Sequence, residues 1–191
     1  MNILIFCSAQ DVPAKYTNAA SEFAALLARK GHVLVWGGSD RGTMKAIADS
    51  AQDAGGRIIG ISMEFFKHKA RKNADEMIIT KDLGERKRIM LERSDAIVAL
   101  AGGIGTLDEI TEMLALKRHG NHDKPIVFLN TDGFFQGMKM QLEKMEKDGF
   151  LKNMDSDVIE GLLAYFASTP EDAMDYLNNY FKGDENKSKS T

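Results

Sequence analysis

Short apolar runs alternate with longer amphipathic stretches along the chain. The runs are Ile3-Leu4-Ile5-Phe6, Val33-Leu34-Val35-Trp36, Ile58-Ile59-Gly60-Ile61, Met77-Ile78-Ile79, Ala96-Ile97-Val98-Ala99-Leu100 and Ile126-Val127-Phe128-Leu129. Each is hydrophobic throughout rather than alternating. That pattern suits strands buried on both faces, as in a parallel sheet covered by helices. Between the runs, apolar positions at helical spacing predict helices over about 14–30, 42–54, 83–93, 105–118 and 134–148. A last apolar run near 163–167 and a helix near 170–181 complete the series. Pro170 sits where it would open that helix, with Thr169 as N-cap. Strand–helix alternation predicts an α/β fold: one doubly wound, Rossmann-like domain over residues 1–182, with a mostly parallel sheet flanked by helices. Residues 183–191 contain no apolar side chain and are expected to form a disordered tail.

Composition narrows the setting. A chain of 191 residues, 43% hydrophobic, suits a single domain with a sizeable core. No stretch of eighteen apolar residues is present, so no membrane-spanning helix is expected. The first residues enter an apolar run without a basic segment or cleavage site, so no secretory leader is expected. Cys7 is the only cysteine, which excludes an internal disulfide and points to a reducing, cytoplasmic location. A net charge of −3, with dispersed Lys and Arg, gives no reason to expect a nucleic-acid or membrane partner.

Two glycine-rich turns lie where strands give way to helices. One is Gly37-Gly38-Ser39-Asp40-Arg41-Gly42-Thr43-Met44 and the other is Gly102-Gly103-Ile104-Gly105-Thr106-Leu107-Asp108-Glu109. In doubly wound folds, ligands bind at this carboxyl edge of the sheet. Backbone without Cβ atoms approaches a phosphate closely, and a helix N-terminus offers unpaired N–H donors. Neither turn ends in the Gly-Lys-Ser/Thr of a Walker A loop, and neither follows the first strand as a dinucleotide fingerprint would. The alternative is two plain tight turns, a reading that two such loops at the same edge of one sheet weaken. Helical spacing places Glu109 away from the face shared by Leu107, Ile110 and Leu114, beside Met113 and Leu116. On that reading Glu109 is not pinned into the core, and Met113 and Leu116 are exposed.

A second charged segment precedes this turn. Asp82-Leu83-Gly84-Glu85 resembles a capping box, and the following Arg86 shares a helix face with Leu83 and Met90. An arginine on an apolar face needs an acceptor, because an unpaired buried charge is expensive. Spacing leaves two choices open: a carboxylate within the protein or the phosphate of a ligand.

Together these motifs resemble the Lonely Guy family, the cytokinin riboside 5′-monophosphate phosphoribohydrolases. Glu85-Arg86-Lys87 resembles its E-R-K motif, and Gly102-Gly103-Ile104-Gly105-Thr106-Leu107-Asp108-Glu109 resembles its P-G-G-x-G-T-x-x-E motif. Trp36-Gly37-Gly38 through Gly42-Thr43-Met44 is similar to the family's G-G-G-x-x-G-L-M-G loop. The resemblance implies hydrolysis of the N-glycosidic bond of a nucleoside 5′-monophosphate to free base and ribose 5-phosphate. It implies Arg86 and Glu109 as the catalytic pair. It implies substrate contacts from Lys87, Gly102, Gly103, Ile104, Gly105 and Thr106, with Gly37 and Gly38 in the earlier loop. It implies a homodimer and no cofactor.

The sequence departs from the family pattern in places. Ala101 replaces the proline before the paired glycines, and Ser39 replaces the third glycine of the earlier loop. Where the family places an acidic substrate contact, this chain has Lys67, His68, Lys69, Arg71 and Lys72. These departures bear on substrate choice more than on reaction type. The alternative is a nucleotide-binding sensor or carrier of the same fold with little catalysis. His119 and His122 fall in a loop with no third ligand near them, so no metal site is expected. Pyridoxal chemistry would need a Schiff-base lysine and a partner for the ring nitrogen, and no residue is marked out for either task.

Overall fold

The computed structural model describes residues 1–151 and 163–188. Seven strands form one sheet: β1 (Asn2–Phe6), β2 (Val33–Trp36), β3 (Ile58–Met63), β4 (Glu76–Thr80), β5 (Ala96–Ala99), β6 (Ile126–Leu129) and β7 (Tyr165–Ala167). Every pairing is parallel, in the order β4-β3-β2-β1-β5-β6-β7. The helices are α1 (Ala14–Arg29), α2 (Gly42–Asp53), α3 (Leu83–Glu92), α4 (Ile104–Arg118), α5 (Gln136–Lys147) and α6 (Pro170–Ser188). The doubly wound α/β prediction therefore holds, with strands and helices close to their expected positions. The final helix runs to Ser188, past the boundary expected at Gly183. The remaining expected tail residues, 189–191, lie outside the described residues.

The continuous apolar runs have a direct explanation. Successive strand residues face opposite sides of the sheet, and here both sides are covered. Ile3, Ile5, Leu34 and Trp36 pack with Phe23, Leu27, Ile47 and Leu177 from α1, α2 and α6. Leu4, Phe6, Val35 and Ile97 pack on the other side with Met90, Ile110, Met113 and Leu142 from α3, α4 and α5. A polar residue at any of these strand positions would be buried without water.

Chain order reverses at β1, which lies between β2 and β5. The Cα register pairs Ile3 with Leu34 on one side and with Ala96 on the other. Helices depart from this point in opposite directions, leaving a crevice beyond the strand ends. One feature there has no sequence forecast: a short 3-10 helix, Glu64–Lys69, directly after β3. It is only two turns long and has no buried residue, so it carries no apolar periodicity to detect.

Candidate active site

Arg86 reaches the crevice because α3 is capped to aim it there. Asp82 accepts the Glu85 backbone N–H at 2.8 Å, as a capping box requires. The Glu85 carboxylate reaches one residue further back than expected, accepting from the Lys81 N–H at 2.7 Å. One residue after Glu85, Arg86 turns inward and is 8% exposed. Its Nε donates to the Ile61 carbonyl at 2.9 Å, and one terminal nitrogen donates to Glu109 Oε1 at 2.6 Å. The other terminal nitrogen points to the Gly37 carbonyl at 3.5 Å. The acceptor that spacing left open is thus a carboxylate of the protein. Arg86 ties β3, the loop after β2 and α4 together beneath the crevice.

Glu109 corrects the sequence reading of α4. It is 6% exposed, and Met113 is wholly buried, not on an outer face. Leu116 is half-buried against the same core. The reason is lateral packing: Met90 of α3 and Leu142 of α5 join the same cluster as α4, so the helix buries a wide stripe. Leu107, expected on the packed face, is only half-buried. Burial pushes the Glu109 carboxyl above its ordinary range, and the attraction of Arg86 offsets this only in part. Oε1 accepts from Arg86.

The two glycine turns meet this pair from different sides. A Cβ on Gly37 would lie 2.5 Å from an Arg86 guanidinium nitrogen and 2.8 Å from the Met44 methyl. Gly37 is therefore the slot that admits the arginine. A Cβ on Gly38 would touch Met77 and Ser62, and one on Gly102 would lie 2.1 Å from Thr106 Oγ1. Gly103 and Gly105 differ, because a Cβ on either meets nothing within 4 Å. Gly103 precedes α4 with extended backbone and no side chain caps the helix there. The first N–H groups of α4 therefore have no capping side chain, and the positive end of the helix dipole lies there.

A cleft of about 460 Å³ lies over these groups. Arg86 and Glu109 form its floor, with Gly37, Gly103, Gly105 and Thr106 around them. Cys7 also lines it; burial, then the nearby Glu109 carboxylate, pushes the thiol far up, so it stays protonated. Four of the expected substrate contacts do not line the cleft: Lys87, Gly38, Gly102 and Ile104. Lys87 turns away and pairs with Glu112 and, at 3.1 Å, with Asp108. It braces α3 against the start of α4. Gly38 and Gly102 sit against protein atoms, and Ile104 is 81% exposed. The cleft adds residues to which no substrate contact was assigned: Ser39 and Arg41 from the first glycine-rich turn, Lys69 from the basic segment, and Phe66, which no motif marked. They come from loops that only the strand order brings together. Among the described residues, no three His, Cys, Asp or Glu side chains gather as a metal site.

A family model described as "possible lysine decarboxylase" matches residues 44–177. A cytokinin riboside 5′-monophosphate phosphoribohydrolase of Mycobacterium tuberculosis is 37% identical over 151 residues, covering 78% of this chain and 81% of that protein. The chain belongs to the Lonely Guy family. Another Lonely Guy relative, the phosphoribohydrolase LOG5 of Arabidopsis thaliana, is 34% identical and covers 78% of this chain and 67% of its own length. The molybdenum cofactor binding protein of Rippkaea orientalis superposes with a TM-score of 0.70 at 24% identity, covering 94% of this chain and 95% of that one. The molybdenum cofactor carrier protein of Chlamydomonas reinhardtii gives 0.67 at 23% identity, covering 95% and 98%. Those two likenesses show the fold that Lonely Guy proteins share and nothing of the chemistry. No described helix is long and apolar enough to cross a membrane.

Proposed function

We propose that this Lonely Guy protein hydrolyses the N-glycosidic bond of a nucleoside 5′-monophosphate, releasing free base and ribose 5-phosphate. The observation that carries the reading is the buried Arg86–Glu109 pair on the floor of a cleft. The activity named for its Mycobacterium and Arabidopsis relatives agrees with it.

The chemistry follows from the geometry. The 5′-phosphate sits at the N-terminus of α4, against the open backbone of Gly103, Gly105 and Thr106. Ribose then lies over Glu109. As the bond from C1′ to the base nitrogen breaks, its electron pair leaves with the base and positive charge grows on the sugar. The carboxylate of Glu109 stabilises that charge, and Arg86 fixes the carboxylate by holding Oε1. Water adds its oxygen to C1′, and its proton balances the departing base. A carboxyl raised by burial is suited to take up and return that proton. Gly37, Gly38 and Gly102 shape the floor, and Lys87 positions the start of α4. The reading needs neither cofactor nor metal. It includes a homodimer, which the family resemblance supports, and a cytoplasmic location, which the free Cys7 supports.

A pure carrier of this fold has no need of a carboxylate at position 109. Glu109→Gln keeps an oxygen for Arg86 but no negative charge. Base release, followed by chromatography, should fall about a hundredfold or more, while nucleotide affinity stays within a few-fold of wild type. Turnover equal to wild type would remove Glu109 from the mechanism. Nucleotide binding without base release from wild-type protein would replace the enzyme with a carrier.

A further inference from the structure

The wall of the cleft opposite α4 has no apolar anchor. It is formed by the loop after β2 and the 3-10 helix after β3, from which Ser39, Arg41, Phe66 and Lys69 line the cleft. No residue of that 3-10 helix is buried. Such a segment draws little hold from the hydrophobic core, so polar contacts must fix it against the loop. The backbone supplies some of them. The Asp40 N–H donates to the Lys69 carbonyl at 2.9 Å, and the Arg71 N–H donates to the Gly38 carbonyl at 2.8 Å. Ser39 and Ala70 form an antiparallel bridge between these contacts.

The Arg71 side chain supplies the rest. It is 7% exposed, follows directly on Ala70 and does not line the cleft. All of its guanidinium nitrogens are engaged. Nε donates to Gln52 Oε1 at 3.1 Å, and one terminal nitrogen donates to the same oxygen at 2.6 Å. The other terminal nitrogen contacts Asp40 at 2.9 Å and Asp49 at 2.7 Å. Asp40 lies in the loop after β2, whereas Asp49 and Gln52 lie on one face of α2. Gln52 is oriented from its other end too, because its Nε2 donates to the Asn73 carbonyl at 2.7 Å. Burial opposes the charge of Asp49, yet hydrogen bonds from Lys45 and Arg71 hold its carboxyl below the ordinary range. One side chain thus ties together the chain leaving the 3-10 helix, the loop after β2 and α2. A lysine, with a single nitrogen, could not span the loop and α2 together.

The catalytic floor is fastened separately. Arg86 bonds to Ile61 and Glu109 and points to Gly37, none of which is an acceptor of the Arg71 side chain. Two buried arginines therefore divide the work. Arg86 holds the floor and Arg71 holds the far wall.

We infer that Arg71 is a positioning residue for substrate binding: its guanidinium sets Ser39, Arg41, Phe66 and Lys69 at the distance from α4 that a bound nucleotide requires. Arg71 itself touches no substrate. This inference rests on the hydrolytic reading, in which the phosphate lies at α4 and the rest of the nucleotide extends toward the opposite wall. Loosening the wall weakens binding, while bond cleavage over Glu109 proceeds on a floor that Arg71 does not hold.

Base release by the full chain, with AMP and isopentenyl-AMP as probes, separates KM from kcat. Arg71→Lys keeps the charge but not the span, and should raise KM about tenfold with kcat within about twofold of wild type. Asp40→Ala frees the loop but leaves Arg71 paired with Asp49 and Gln52, so the fold is kept. Its KM should rise about threefold. In a Phe66→Ala, Lys69→Met background, Arg71→Lys should raise KM by no more than about twofold, because the wall through which Arg71 acts has been removed. A general loss of packing would not depend on that background. Unchanged KM in both single variants would overturn the inference, even if thermal unfolding finds them less stable. Equal falls in kcat and kcat/KM would also overturn it, placing Arg71 behind the catalytic floor. If wild-type protein releases no base from either nucleotide, the hydrolytic reading fails, and calorimetric Kd values for AMP decide the inference. It stands if Arg71→Lys binds AMP about tenfold more weakly, and it falls if the two proteins bind alike or wild type does not bind.

Discussion

The two glycine-rich turns look alike in sequence and do different work. In the turn after β2, missing Cβ atoms make room for the protein itself: Gly37 for Arg86 and Met44, Gly38 for Met77 and Ser62. In the turn after β5, Gly103 and Gly105 make room for nothing the protein supplies. Gly102 alone serves packing there, against Thr106. A glycine whose absent side chain would strike a neighbour is explained by folding. A glycine bordering an open cleft at a helix N-terminus is not, and its space suits a phosphate. The first turn packs against Arg86 and its neighbours, and the second leaves open space at the start of α4.

Substitutions separate the two kinds of glycine. The largest effect is expected from Gly37→Ala. Its methyl would occupy the position of the Arg86 guanidinium, which Ile61 and Glu109 hold in place. A displacement of about 1 Å should cost about a hundredfold in base release, with the far-ultraviolet circular dichroism unchanged. Full activity in this variant would show that Gly37 does not set the arginine. Gly42→Ala should act on stability instead. Gly42 has φ +52°, and a Cβ there would sit 2.4 Å from the Gln10 carbonyl, a backbone atom that cannot swing aside. Denaturant unfolding should register a loss of about 2 kcal/mol.

Gly105→Ala should behave in the opposite way. The residue is helical and its new methyl meets no protein atom. Stability should rise by about 0.5 kcal/mol from helix propensity, while KM rises because the methyl enters the phosphate space. A fall in stability would mean that this turn is packed like the first.

The smallest effect concerns pH. Because burial raises the Glu109 carboxyl, the folded chain keeps that proton to higher pH than the unfolded chain does. The stability contributed by this group is therefore lost as pH rises from the ordinary carboxylate range through the raised value. Glu109→Gln cannot titrate and should not show this fall. Unfolding free energies of the two proteins, measured from acid to neutral pH, should shift in favour of the variant as pH rises. Parallel curves would mean that Arg86 cancels the burial cost in full.

Much of the fold was legible because its signals are local. The all-apolar runs required burial on both faces, and Asp82 and Thr169 announced the caps that the structure shows. The site was legible in its parts but not in its contacts. Helical spacing put Arg86 inward and left its acceptor open between protein and ligand. It put Glu109 and Met113 outward, because an isolated helix gives no measure of how many neighbours flank it. Lys87 sat inside a motif, yet its ammonium went to Asp108 and Glu112 on α4 rather than to the cleft. Arg41 and Lys69 lay in segments that the sequence singled out, but nothing local assigned their side chains to the cleft.

Sequence alone determined the strands, the helices, their caps and the residue types available at the carboxyl edge of the sheet. Those properties depend on periodicities of two and 3.6 residues and on single-residue backbone preferences, which are written within a few positions of each other. Tertiary structure decided which charges meet. The Arg86–Glu109 pair spans 23 positions, and the Arg86 contact with Gly37 spans 49. A strand order that sets β1 between β2 and β5 creates these contacts, and no local pattern encodes the distance between the ends of strands far apart in the chain.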